Sequence, residues 1–149
     1  TNISLETFAA YSLDDKMLDF NIMSNTQSSS ILDLKTHKKL YPHIHVKEKN
    51  KVKTKTLDRL FENNYNIENY NFINMDIQGS ELEALKGGKN ILNNIDGIYT
   101  EINFDELYAN CALAGEMDNF LSEFNFKRVL TKTPEHDTWG DALYLKKKN

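Results

Sequence analysis

Apolar and polar positions along the 149 residues follow two rhythms, a period of two and a period near 3.6, which divide the chain into strands and helices. Ile3 to Ser12 reads as a strand with Ile3, Leu5 and Phe8 toward the core. Asp14-Asp15 makes a turn, and Met17 to Ile22 returns as a strand with Leu18, Phe20 and Ile22 on alternate positions. Ser24 to Leu40 is polar and weakly patterned, which predicts a long loop with at most one helical turn. Lysines then alternate at positions 47, 49, 51, 53 and 55, so a strand there carries them all on one face, with Val46, Val52 and Thr54 on the other.

Thr56 stands where it can cap a short helix running through Asn63 and burying Leu57, Leu60 and Phe61. An asparagine-rich linker leads to Phe72 to Ile77, a short apolar run that suits a strand buried on both faces. Gly79 ends it, and Ser80 with Glu83 has the spacing of a capping box at a helix start. Leu82 and Leu85 give that helix its stripe, and Gly87-Gly88 reads as a left-handed stop. A second helical piece, Lys89 to Asn94, precedes a strand over Gly97 to Asn103. Met117, Phe120, Leu121 and Phe124 fall at i, i+3, i+4 and i+7, the stripe of a helix packed on a sheet. Phe126 to Thr131 and Asp141 to Lys146 are strands close enough in sequence to pair antiparallel.

Strands alternating with helices predict one α/β domain, a mostly parallel sheet closed by an antiparallel hairpin. Ligands of such sheets bind at the carboxyl ends of the strands. Asp76 lies near one such end, and Glu101 and Asn103 near another that is adjacent if consecutive strands are neighbours. The two carboxylates could share a proton, one serving as general base, or hold a divalent cation. Asp76 could equally be a structural residue of the turn. His43 and His45 share a strand face; a base and an ordinary surface histidine are both open readings, and a metal site lacks further ligands fixed by spacing. The loop of residues 132–140 places His136, Asp137 and Trp139 above the same sheet end, the indole offering a flat wall for a sugar or a methylsulfonium cation. Ser28, Ser29 and Ser30 could donate to a sugar or merely shape turns.

Composition changes the picture little. The net charge of −4 and pI near 5.6 do not favour a nucleic-acid partner. No apolar run is long enough to span a membrane, and no leader signals export. With the single Cys111 no internal disulfide can form, so a reducing, cytoplasmic setting is expected and the thiol reads as buried and inert. The alternating lysines read as a solvated edge; the sharper alternative is a non-catalytic domain binding an anionic glycan through them.

The stretch Met75-Asp-Ile-Gln-Gly-Ser-Glu-Leu-Glu-Ala-Leu-Lys-Gly87 resembles the signature of the FkbM family of S-adenosylmethionine-dependent methyltransferases. Ser28 to Leu32, Thr56 to Leu60 and Trp139 to Tyr144 match in order, so the resemblance extends over nearly the whole chain. It implies a Rossmann-like class I methyltransferase sheet and methyl transfer to a hydroxyl oxygen of a sugar or related small-molecule or glycan acceptor. It implies that Ala10, Tyr11, Asp76 and Gln78 lie beside S-adenosyl-L-methionine. It further implies Asp76, Glu101, His43 and His136 as catalytic candidates, with Ser29, Asn103 and Trp139 around the acceptor. No glycine precedes Gly79, so the glycine-rich loop and ribose-holding acid of the family are expected upstream of Thr1, on N-terminal strands this chain lacks.

Overall fold

A computed structural model describes residues 3–134 and 137–147, leaving aside the side chains of residues 63 and 64. Its strands are β1 (Ala9–Ala10), β2 (Met17–Met23), β3 (Val46–Lys55), β4 (Phe72–Met75), β5 (Gly97–Asn103), β6 (Phe126–Lys132) and β7 (Trp139–Lys146). The helices are α1 (His37–Leu40), α2 (Leu57–Asn64), α3 (Glu81–Lys86), α4 (Lys89–Asn94) and α5 (Ala114–Ser122). The fold class is α/β, built on two sheets ordered β1-β3-β2 and β4-β5-β7-β6. The expected mostly parallel sheet is corrected: β4–β5 and β1–β3 pair parallel, whereas β2–β3, β5–β7 and β6–β7 pair antiparallel. In the four-stranded sheet β7 alone runs against the others, and the terminal hairpin stands where expected. No helix among the described residues is long and apolar enough to cross a membrane.

The main core lies between the four-stranded sheet and α3, α4 and α5, where Leu85, Leu92, Ile98, Leu121 and Ala142 are fully sealed from water. Full burial of each large aliphatic side chain contributes about 1.5–3 kcal/mol of transfer free energy. Tyr144 and Arg128 both donate to the Asp118 carboxylate at 2.7 Å, tying α5 to the hairpin. A smaller cluster of Met23, Leu34, Ile44, Leu107, Tyr108 and Cys111 packs under the long loop between β2 and β3. Cys111 is buried, and burial pushes its thiol pKa up, away from reactivity.

Several local expectations give way to competing contacts. Residues 3–7 form no strand, and Ile3 and Leu5 are 83% and 89% exposed. β4 is an edge strand, so Phe72 and Asn74 face solvent instead of a second layer. The capping box does not form: Ser80 Oγ is buried without a partner, and Glu83 instead accepts from Ser12 and Lys86 at 2.6 Å each. Nor is there a left-handed stop, since Gly87 has φ −82° and Gly88 φ −128°. Gly87 is needed for space, because a Cβ there would meet the Tyr11 carbonyl oxygen at 2.2 Å. Thr56 does cap α2, its hydroxyl accepting from Arg59 N–H at 3.2 Å.

β2 and β3 set charge against charge. Lys51 lies opposite Asp19 in register and reaches it at 2.6 Å, Lys53 reaches Asp15 at 2.7 Å, and Lys49 and Lys55 approach Asp33 and Glu6 at 3.6 Å. Four of the five lysines of the row thus have a carboxylate neighbour within the fold, which diminishes the free cationic face that the anionic-glycan reading requires.

Candidate active site

β4 ends at Met75, and the chain then turns through Asp76-Ile77-Gln78-Gly79 into α3. Gln78 has φ 56° and Gly79 φ 95°, both in the left-handed region. At Gly79 a Cβ would also press on Cys111 and Tyr108 at 3.1 Å. Gln78 tolerates the conformation because it is held on every side. Ser30 Oγ donates to its carbonyl at 2.7 Å, Tyr108 Oη donates to its Oε1 at 2.6 Å, and its Nε2 donates to Asp76 Oδ1. Glu81, the first residue of α3, is 2% exposed and reaches back under the turn. Its Oε1 accepts from Ile77 N–H at 2.9 Å and Gly79 N–H at 3.2 Å, the service the sequence pattern had suggested for Ser80 and Glu83. Burial pushes the Glu81 pKa up to about 7 despite those hydrogen bonds, with the Asp76 charge adding to the rise.

Pairing brings a second and a third carboxylate alongside. Met75 lies beside Thr100 on β5, so Asp76 follows beside Glu101. Glu101 in turn lies directly opposite Asp141 on β7. Glu101 and Asp141 are thus cross-strand neighbours, and Asp76 stands just past the end of β4 where its charge reaches Glu101, so that the three carboxylates line one cavity. Glu101 is 8% exposed, and its Oε1 is buried with no hydrogen-bond partner. Its pKa is pushed up to about 8, first by burial and then by the charges of Glu81, Asp76 and Asp141, with a Gln78 hydrogen bond opposing them.

That cavity has a volume of about 1000 Å³. Trp139, Tyr41, Tyr108 and Phe20 supply aromatic walls, and Ser28 and Ser29 with Gln27 form part of a polar lip. His37 is 5% exposed, lies 4.9 Å from the Tyr41 ring and 5.5 Å from the Tyr108 ring, and has a buried, unpartnered Nδ1. Burial, aided by His43, lowers its pKa and keeps the imidazole neutral near pH 7. Tyr108 is held well above the usual phenol range, by burial first and then by Glu101, so it acts here as a hydrogen-bond donor.

The fold gathers Asp76, Gln78, Glu101, His43, Ser29 and Trp139 on this one cavity. Ser29 Oγ is already engaged by Met23 N–H at 3.1 Å, so part of its role is to shape the loop. Ala10 lies elsewhere, lining a separate, mainly apolar cavity of about 320 Å³ along β4, and Asp76 is shared between that cavity and the larger one. Tyr11 borders a third hollow beside Ser80 and Lys86. Asn103 shares the Glu101 face, is 2% exposed, bridges to Leu113 and is not among the residues lining the large cavity. His136 lies outside the described residues. Among the described residues no group of three or more His, Cys, Asp or Glu side chains is placed to hold a metal ion.

Sequence reasoning passed over Glu81, His37 and Asp141 as site residues. Asp141 was within reach, since it stands two residues after Trp139 on a strand and therefore on the same face. No local signal separates Glu81 from Glu83 in the same first turn. No curated protein and no solved structure matches the chain. A family model described as Methyltransferase FkbM domain matches residues 4–128, a span that takes in Asp76 and Glu101 and leaves the Trp139 to Tyr144 motif outside.

Proposed function

The chain belongs to the FkbM methyltransferase domain family, and from that premise we propose that it takes part in methyl transfer from S-adenosyl-L-methionine to a hydroxyl oxygen of a sugar-like acceptor. The observation that carries the reading is Glu101: a buried carboxylate with an unpartnered oxygen, lining a large cavity at the carboxyl ends of adjacent strands. A buried acceptor oxygen without a donor is costly unless something else supplies the proton. An acceptor hydroxyl supplies it.

The residues fit such a cofactor in kind. The apolar cavity beside Ala10, Tyr70 and Phe72 suits a purine, and Asp76, shared with the larger cavity, joins it to the polar side. When bound, S-adenosylmethionine supplies a methyl group activated by an adjacent sulfonium. The chain's own work is to orient the acceptor against that methyl and to take its proton. Glu101 accepts the hydroxyl proton as the oxygen–methyl bond forms; a pKa of about 8 suits a base operating near neutral pH. Tyr108 and Gln78 lock the Asp76 carboxylate in place. Trp139 provides the face on which a ring can lie.

Calorimetric titration with S-adenosylhomocysteine, followed by assay of methyl transfer to a panel of glycosides, tests this reading. It predicts saturable binding in the protein extended upstream through the glycine-rich strands that the family resemblance implies, and in the Glu101→Gln variant of that longer protein, with transfer lost only in the variant. Absence of any binding to the extended protein removes the methyltransferase reading.

A further inference from the structure

Like charges directly opposite one another on neighbouring strands destabilise a sheet. Glu101 and Asp141 are such a pair, Asp76 stands just past the end of β4, and all three line the large cavity. No lysine or arginine is among the described residues that line it. Lys132, the cross-strand neighbour of Asp141 on β6, is exposed and stays off the lining. Two further observations point to an absent ligand rather than to a solvated acidic patch. Glu101 Oε1 and His37 Nδ1 belong to lining residues that are 8% and 5% exposed, and neither atom has a partner. Trp139, Tyr41 and Tyr108 line the same cavity, and aromatic faces attract cations as carboxylates do. Among the described residues no three His, Cys, Asp or Glu side chains are gathered into a ligating group. A larger organic cation, with its charge on one side and hydroxyls on the other, fits the cavity.

Resting on the methyltransferase reading above, we propose that the acceptor is a polyhydroxylated molecule bearing an amine, such as an amino sugar or aminocyclitol. Its ammonium is held by Asp141 at one end of the acidic row, its ring lies on Trp139, and a hydroxyl faces Glu101. The transfer balances: the hydroxyl proton passes to the Glu101 carboxylate, the oxygen–methyl bond forms as the sulfur–methyl bond breaks, and S-adenosylhomocysteine leaves neutral at sulfur. A phosphorylated or carboxylated acceptor would meet the Asp76 and Asp141 carboxylates with no lysine or arginine among the described lining residues to receive it, a desolvation that nothing in the cavity repays.

The test uses the same extended protein saturated with S-adenosylhomocysteine, which removes the cofactor's own sulfonium charge from the comparison. Dissociation constants are measured for the p-nitrophenyl glycosides of glucosamine, N-acetylglucosamine and glucuronic acid. The proposal predicts that the amine binds at least about tenfold more tightly than its acetylated counterpart, a difference calorimetry resolves readily. The glucuronide binds most weakly, and Asp141→Asn erases most of the preference while S-adenosylhomocysteine still binds. If the three glycosides bind alike, if the glucuronide binds best, or if the amine shows no binding, the proposal is overturned, because the acidic row would then serve the sulfonium alone. Failure of S-adenosylhomocysteine to bind at all is a separate result, and it counts against the methyltransferase reading itself.

Discussion

On β3 the lysines at 49, 51, 53 and 55 each have a carboxylate within 4 Å, all but Lys55 at more than half exposure, whereas at the end of β4 and on β5 and β7 three carboxylates line one cavity with no lysine or arginine among its described lining residues. Each set contains one cross-strand pair in register, Lys51 with Asp19 in the first and Glu101 with Asp141 in the second. In the first row the sequence places opposite signs together, and water screens what remains, so its purpose is met inside the fold. In the second it places like signs together and buries the central one, which costs stability that folding does not recover. Stability spent in that way marks a place where a ligand is expected. The more conspicuous charge pattern in the sequence is thus the less informative one.

The sharpest way to break this comparison is Glu101→Gln. Removing a general base costs about 10²–10⁴ in turnover; the variant is expected to fall by that much in a methyl-transfer assay while keeping its circular dichroism. Because the substitution replaces a buried ionisable group with a neutral one of the same size, the melting temperature should hold or rise. Glu81→Ala comes next, since it leaves the Ile77 and Gly79 amides without their acceptor. A loss of about 1–3 kcal/mol is expected, read by urea denaturation, with Glu81→Gln costing less because an amide oxygen remains. Gly87→Ala should cost a similar amount, about 1–3 kcal/mol, because its Cβ runs into the Tyr11 carbonyl.

A smaller effect lies in the pH dependence of stability. Glu101 and Glu81 have folded pKa values raised to about 8 and about 7 from 4.5. Between 4.5 and those values the unfolded chain loses protons that the native state keeps, so the native state binds more protons and stability falls as pH rises. Their stabilising share is fully present below pH 4.5 and gone above about 8. Melting temperatures across that range should decline in the native protein and decline less steeply in Glu101→Gln. At the small end, Lys51→Ala should leave both methyl transfer and melting temperature within experimental scatter. A marked loss of activity there would mean that the lysine row takes part in function after all.

Much of the architecture was legible because it rests on short-range pattern. The 3.6 period of Met117, Phe120 and Leu121 gives α5, alternation gives β2, and the closeness of β6 and β7 in sequence forces their antiparallel pairing. What was not legible depends on contacts between distant segments. Ser80 and Glu83 carry the spacing of a capping box, yet Glu83 is drawn to Ser12, 71 residues away, and Glu81 takes over the turn. Gly87 looks like a helix stop, but its reason is the Tyr11 backbone, which no local pattern reveals. For the site, strand-end logic placed Asp76 and Glu101 together. Asn103 pairs with Leu113 away from the large cavity, Asp141 was within reach of the strand period, and His37 came in through loop packing that only the tertiary structure supplies.

The most direct measurement is a carbon-13 NMR titration of the glutamate carboxyls of the extended protein, with Glu101 assigned by the Glu101→Gln variant, repeated in the presence of S-adenosylhomocysteine. If the buried acidic row is a methyltransferase site, the Glu101 carboxyl titrates near pH 8, and the added compound shifts both its resonance and its titration. A Glu101 that titrates in the ordinary carboxylate range and ignores S-adenosylhomocysteine would contradict the account at its centre.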